Sequence, residues 1–479
     1  MATKTGGPPR TGGTGGEPGA GLDRRPQRRS GRRAGPADGR PDAPGAPRNR
    51  WLLLALATLQ QAGLTAVRFG IPVVAPFVRA DLGLSLSTTG MVLGAFDLGA
   101  LLTFYLTGRL TDRYGERRVM AAGAVLTGVV TAAAALAGRG LGALLALLVL
   151  AGTGFPSSQV AGSHAVVSWF PVRERGLAMG IRQAGLPAGG FAAALLLPGL
   201  ASGWGWRAAL LVAALACAAS GVLVGLVLPR DEPGATRGAT ADAGAPTTAG
   251  GTGGGRSQRE PADAGGRALV GWFLRQAPLV WVTLVACLLA AVQFCLTGYL
   301  PLFMEDVFRW SPGAAGRLLL VVHLGGMLGR LAWGWASDRR FAGERTRPMA
   351  GAAWTGLVVA TLLALVALVG RPEGGAAAAG AMVVLAALGG FGCLGWNGLY
   401  TTVVAECAGR RSAPALGMSM TVLYVFTMLA PPLFGRVVDA AGHYAVAWGL
   451  AGCLQILGLG AIRGLARALR GHRPPVAVA

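Results

Sequence analysis

FVRADLGLSLSTTGMVLGAFDLGALLTFYLTGRLTDR, residues 77–113, and FMEDVFRWSPGAAGRLLLVVHLGGMLGRLAWGWASDR, residues 303–339, align without a gap at an offset of 226 residues. The matches include Phe77/Phe303, Ser85/Ser311, Gly90/Gly316, Leu98/Leu324, Gly99/Gly325, Gly108/Gly334, Asp112/Asp338 and Arg113/Arg339. Each copy holds an apolar run long enough to cross a hydrocarbon core of ~30 Å as a helix. Both copies run in the same direction if an even number of spans separates them. That makes a parallel repeat about an axis along the membrane normal, with a central site between two related halves.

Outward from the repeat, similar runs fill the chain. Expected spans are 51–77, 87–107, 119–138, 141–168, 176–200, 206–228, 275–300, 312–336, 348–370, 378–405, 413–436 and 444–463. The fold class is therefore all-α: twelve transmembrane helices in two pseudo-symmetric six-helix halves, 51–228 and 271–465. The Gly-, Pro- and Arg-rich residues 1–50 and the Gly/Ala/Thr-rich linker 229–270 lack apolar periodicity and are expected to be disordered; 466–479 form a short tail. Composition agrees. The 479 residues are 53% hydrophobic and 13% charged, with mean hydropathy +0.52, against about 25% charged in soluble domains. Six scattered cysteines, without CxxC or metal spacing, read as small packing residues.

The net charge of +22 could point to nucleic acid. Its placement excludes that reading. Arginines cluster in alternate connections: Arg109, Arg113, Arg117 and Arg118, then Arg173 and Arg175, then Arg339, Arg340, Arg345 and Arg347, then Arg410 and Arg411, then Arg463, Arg467, Arg470 and Arg473. The other loops carry isolated ones: Arg79, Arg139, Arg207, Arg309, Arg371 and Arg436. By the positive-inside rule both termini are expected in the cytoplasm of a plasma or inner membrane, with the basic loops meeting anionic lipid.

The run Gly108-Arg-Leu-Thr-Asp112-Arg113-Tyr-Gly115-Glu-Arg117-Arg118 resembles the G-x-x-x-D-R-x-G-R-R loop of the major facilitator superfamily, with Gly334, Asp338 and Arg339 as a weaker second copy. Glu116 stands where that pattern has a basic residue. The resemblance covers all twelve spans. It implies that this loop gates the cytoplasmic side and that spans one, four, seven and ten line a cavity. Gly108 is read as permitting close helix approach, and Asp112 as an acceptor for arginines or helix N-termini. Arg175 to Gly190, followed by Gly205-Trp206-Arg207, is similar to span five of monocarboxylate and oxalate-type organic anion porters. Gly185, Gly189 and Gly190 also resemble an antiporter G-P-x-x-G-G motif with its proline displaced by one position. No sugar-porter P-E-S-P-R follows span six, and a chain whose only asparagines are Asn49 and Asn397 cannot carry the nitrate-porter signature.

Ionisable groups at membrane depth default to function. Arg68 shares a face with Gln61 and Thr65; Arg182 and Gln183 lie in span five. Span seven offers Gln293 and Thr297; span ten offers Asn397, Tyr400 and Thr401. Arginine stays protonated, so Arg68 and Arg182 each need an anion, from the protein or from a substrate. Gln61, Arg68, Arg182, Gln183, Gln293, Asn397 and Tyr400 are the substrate candidates. Protons need a group that titrates. Asp97 and His323, matched by the repeat at mid-span, are the coupling candidates, with Glu406 a further one. Arg330 fits a substrate or a gating role equally. His164 is expected to cap a helix end or bond a carbonyl.

The expected function is secondary active transport of a small solute, a small organic anion such as a monocarboxylate, by proton-coupled alternating access in a monomer. Drug or metabolite efflux by proton antiport is the alternative, supported by Asp97 alone, and a transporter-like sensor comes behind it. No G-x-S-G, H-E-x-x-H, prenyl-phosphate or P-loop motif is present, so neither an enzyme nor ATP-driven transport is expected. No cofactor, metal or nucleic acid is called for.

Overall fold

The computed structural model describes residues 49–138, 140–170, 172–228, 266–369 and 375–471. Expected features at residues 1–48 and 229–265, and Arg139, Arg371 and Arg473, lie outside them. The described residues are helical, joined by short turns. The first half holds α1 (Arg50–Leu82), α2 (Leu86–Tyr114), α3 (Glu116–Ala137), α4 (Leu141–Gly152), α5 (Pro156–Trp169) and α6 (Val172–Val227). The second holds α7 (Gly266–Arg275), α8 (Ala277–Phe308), α9 (Pro312–Trp335), α10 (Thr346–Val369), α11 (Gly375–Cys393), α12 (Asn397–Ala408), α13 (Ser412–Ala441) and α14 (Tyr444–Gly471).

Eleven stretches among the described residues are long and apolar enough to span, and one of them covers two expected spans. α6 turns back at Gly205, whose φ of +84° is open to glycine and strained for other residues. Twelve crossings result, as the hydropathy pattern requires. Two crossings differ from the sequence reading, because each is a helix interrupted by a turn. α4 stops at Gly152 and α5 restarts at Pro156, which has no N–H to continue the ladder. α11 and α12 are parted by Leu394, Gly395 and Trp396. Two expected bounds also shift. α7 begins inside the expected linker at Gly266, and α14 runs to Gly471, past the expected start of the tail.

The repeat seen in sequence is a repeat of packing roles. Ser85 and Ser311 are both N-caps, accepting from the amides of Thr88 and Ala314. At Gly99 an added Cβ would lie 1.8 Å from the carbonyl oxygen of Val149, and at Gly325 it would lie 2.3 Å from that of Ala387. The two glycines thus seat α2 on α4 and α9 on α11 alike. Gly90 and Gly316 are turned to the opposite half, against Tyr299 and Pro431 and against Val73 and Pro198. Gly108 and Gly334 behave differently from expectation: a Cβ at either would meet nothing within 4 Å. They mark no close helix approach.

The halves meet where α2 packs on α13 and α6 on α9. At the end away from the basic loops, polar contacts tie them together. Arg79 donates to Asp306 at 2.6 Å, and Tyr444 donates to the same carboxylate at 2.7 Å. Asp439 accepts from the amides of Leu86 (3.1 Å) and Ser87 (2.7 Å), so a carboxylate of the second half caps a helix of the first. The Tyr299 hydroxyl sits 2.8 Å from the Leu86 oxygen and 2.7 Å from the Pro431 oxygen. This end is closed. Asp439→Ala removes that cap, worth about 0.5–2 kcal/mol. A cysteine at Leu86, buried at this contact, should then react with a polar thiol reagent about twofold to thirtyfold faster, and an unchanged rate would count against Asp439 as a closing contact.

Candidate functional site

The mid-membrane polar residues fall into three groups, and tertiary packing sorts them. The first is an ion pair. Arg68 Nε donates to Asp97 Oδ1 at 2.8 Å and Nη2 to Oδ2 at 3.0 Å, a bidentate pair with both side chains under a tenth exposed. Rings of Phe69, Phe155, Phe294 and Tyr424 surround the guanidinium at 4.7–5.5 Å. Phe294 and Tyr424 come from the second half, so the pair sits at the seam. Of the two anions the sequence allowed for Arg68, the structure supplies the protein's own.

The second group is built on Arg182, fully buried. Its Nη1 donates to Gln61 Oε1 (2.8 Å) and to the Ser158 carbonyl (2.6 Å); its Nη2 donates to Ser163 Oγ (2.6 Å) and Gln183 Oε1 (3.3 Å). Gln61 Nε2 donates in turn to Gln183 Oε1 at 3.2 Å. Every acceptor is neutral. No carboxylate pairs with Arg182 among the described residues. Gln61 of α1 is brought to Arg182 and Gln183 of α6, whereas the helical spacing grouped it with Arg68. Ser158 and Ser163, both in α5, were missed, because a backbone carbonyl and a small hydroxyl carry no signal of their own in the sequence.

The third group repeats that design in the second half. Arg330 Nε donates to the Leu394 carbonyl at 3.2 Å, in the turn between α11 and α12. Asn397 Nδ2 donates to the same carbonyl and to Gln293 Oε1, both at 3.1 Å. Span one supplies Gln61 and span seven supplies Gln293; the broken spans four and ten each supply a carbonyl. Arg330 also lacks a described carboxylate partner. Tyr400 does not join this group. It donates to Ser419 Oγ at 2.7 Å, which lies 2.7 Å from Thr283 Oγ1, a hydroxyl chain buried inside the second half.

His323 is not beside Asp97. Its ring packs edge-on against Phe69, centroids 5.0 Å apart, and over Gly190 of α6. The matched mid-span positions of Asp97 and His323 thus hold different surroundings, one an ion pair and the other an apolar contact.

At the basic end, Gly115 takes φ +84° to end α2 and start α3. Arg117 Nε donates to the Gly225 carbonyl at 2.8 Å, tying the loop to the end of α6. Glu116, the departure from the family pattern, lies 2.7 Å from His164 Nδ1. His164 therefore meets the side chain of Glu116, the first residue of α3, rather than a carbonyl, because Glu116 supplies a buried carboxylate within reach. The second half ties its loop through a different set of contacts. Asp338 accepts from Arg345, which also lies 3.2 Å from Glu406 on α12. Burial alone would lower the Arg345 pKa, but the Asp338 hydrogen bond and the Glu406 charge outweigh it and hold it above the usual value. Asp112, Arg113, Arg118 and Arg339 are exposed on this face, with Arg113 over the Tyr114 ring.

The Major Facilitator Superfamily profile matches residues 57–431. An uncharacterised MFS-type transporter of Mycobacterium tuberculosis is 31% identical over 417 residues, covering 85% of this chain and 83% of its own length. A probable sulfoacetate transporter of Cupriavidus necator is 26% identical, over 87% of this chain and 94% of its own. Among solved structures, a bacterial homologue of the human lysosomal transporter Spinster superposes with a TM-score of 0.65 at 18% identity, over 89% of this chain and 98% of its own; the likeness is one of fold. The chain belongs to the Major Facilitator Superfamily and is a multi-pass membrane transporter, not an enzyme.

Proposed function

We propose that the protein carries a small organic anion, such as a monocarboxylate, across the plasma or inner membrane by alternating access coupled to protons. One observation carries this reading: each half holds a guanidinium at membrane depth, Arg182 fully buried and Arg330 half-buried, whose described hydrogen bonds go to neutral oxygens, while Arg68 has its carboxylate. A buried unpaired charge is costly, and an anionic substrate would offset that cost in both halves at once. An anion would replace the amide oxygens that hold Arg182 in the described state, entering past half-buried Gln183. Arg330 bonds the broken span and not the Asp338 loop, which favours its substrate role over a gating one. The likeness to a probable sulfoacetate transporter is in keeping with an anion. The efflux alternative loses its acidic group, since Asp97 is held by Arg68.

Orientation follows from the arginine bias: both termini lie inside, and the closed end carrying Asp306 and Asp439 faces outward. The Asp112 and Asp338 loops form the inner gate of a monomer whose basic face meets anionic lipid. The test is proton movement in proteoliposomes on adding carboxylates, inorganic anions or cationic drugs. Proton uptake with a carboxylate supports the reading. A response confined to cationic drugs overturns it in favour of efflux. Ligand binding without flux would mark a sensor.

A further inference from the structure

His323 lies at the heart of the contact between the two halves and has no part in either arginine site. It is 1% exposed, and its Nε2 is buried without a hydrogen-bond partner. The ring is sandwiched by the other half. Phe69 of α1 meets it edge-on, and the Cα of Gly190 in α6 lies directly beneath it: an added Cβ would be 2.6 Å from Cε1, 2.8 Å from Nε2 and 2.9 Å from Nδ1. Glycine is the residue that leaves room for the ring. The α6–α9 contact continues from here toward the closed end, where Gly316 meets Val73 and Pro198 and Gly313 meets Ser202.

The charges around this seat do not favour a cation in it. On α1 they are Arg68 and, reached through it, Asp97, which are bonded to each other. On α6 and α9 they are Arg182 and Arg330, both positive. Among the titratable groups of α8, Cys287, Cys295 and Tyr299 are uncharged, and Glu305 and Asp306 lie at its closed end. α11 offers Cys393. Among the described residues no free carboxylate is found against the ring, and an imidazolium buried without an anion or a hydrogen bond is strongly disfavoured.

We propose that His323 is the proton-sensitive latch between the halves, seated on Gly190 only as a neutral imidazole, so that protonation releases α9 from α6 and favours opening of the end held closed here. Water at the opened end supplies the proton to a ring nitrogen, and the charge of the released ring rises by one. Reseating requires that proton to leave. A group protonated in one state and neutral in the other biases the equilibrium between them by linkage. This assigns the coupling site within the proton-coupled reading above and rests on it.

The test uses the full chain in lipid nanodiscs, with the six native cysteines replaced and spin labels at exposed Ala80 and His443 across the closed end and at Tyr114 and Arg340 across the basic end. Distance distributions are recorded through a pH series spanning the imidazole range. Acidification should raise the open-to-closed ratio at the Ala80/His443 end by about tenfold or more, and His323→Gln should reduce that response to less than about twofold. Gly190→Ala, which crowds the seat, should favour the open state at every pH. Should a variant fail to fold, histidine NMR of the unlabelled wild type gives the same answer: the His323 ring must remain neutral while the end is closed. A pH response in His323→Gln equal to that of the parent, or a protonated His323 ring in the closed state, overturns the latch. Carboxylate-driven proton uptake, measured in parallel, separates the two readings. Uptake that persists alongside an overturned latch places the proton elsewhere. Its absence from a parent whose latch responds sinks proton-coupled transport and leaves the latch.

Discussion

Asp97→Ala is expected to destabilise the protein by about 3–5 kcal/mol, the usual consequence of removing one partner from a buried ion pair. Arg68 cannot shed its charge, and in the variant it would be left among four aromatic rings. Cation–π attraction returns about 0.5–2 kcal/mol at such sites, less than the loss. The double variant Arg68→Met/Asp97→Leu should recover most of the stability, because no charge is then stranded. Thermal unfolding in detergent measures both. An Asp97→Ala protein that melts with the parent would mean that the pair does not hold the seam. Transport adds a second readout. A counterion role predicts that the double variant regains flux with stability, whereas a proton-carrying Asp97 predicts stable protein with uncoupled or absent flux.

Arg182→Gln and Arg330→Gln are each expected to lower carboxylate transport at limiting substrate by about thirtyfold or more. Losing a charge-assisted contact shielded from water costs about 2–5 kcal/mol, and every 1.4 kcal/mol is a factor of ten; the effect should be larger at fully buried Arg182 than at half-buried Arg330. Arg182→Lys keeps the charge but loses the fork that reaches Gln61, Ser158 and Ser163 together, so it should fall between the parent and Arg182→Gln. Proteoliposome uptake with a pH-sensitive dye gives the rates, and unfolding temperatures separate lost binding from lost protein. Full carboxylate uptake by both glutamine variants would refute the anion site.

Much of this architecture was legible along the chain. Apolar runs set the crossings because a helix must satisfy its own backbone in lipid. The gapless repeat carried more than topology: Ser85/Ser311 and Gly99/Gly325 recur as caps and close-packed contacts. Gln61, Arg182 and Gln183 converge, and so do Gln293 and Asn397. Hydropathy did not show the breaks in spans four and ten, because three residues of turn barely alter a window average. The Leu394 carbonyl that the second break presents to Arg330 was hidden with it.

Sequence alone determined which residues lie at membrane depth and that cationic groups outnumber acidic ones there, since burial depth and side-chain charge are properties of the local chain. Pairing is not such a property. Asp97 lies within two helices of several arginines, and only the approach of α1 to α2 gives it to Arg68 and leaves Arg182 and Arg330 with neutral partners. Likewise the repeat placed His323 opposite Asp97 in register, but the meeting of α9 with the glycines of α6 gave it an apolar seat. Charge is written in the residue; its counterion is decided by which helices pack together.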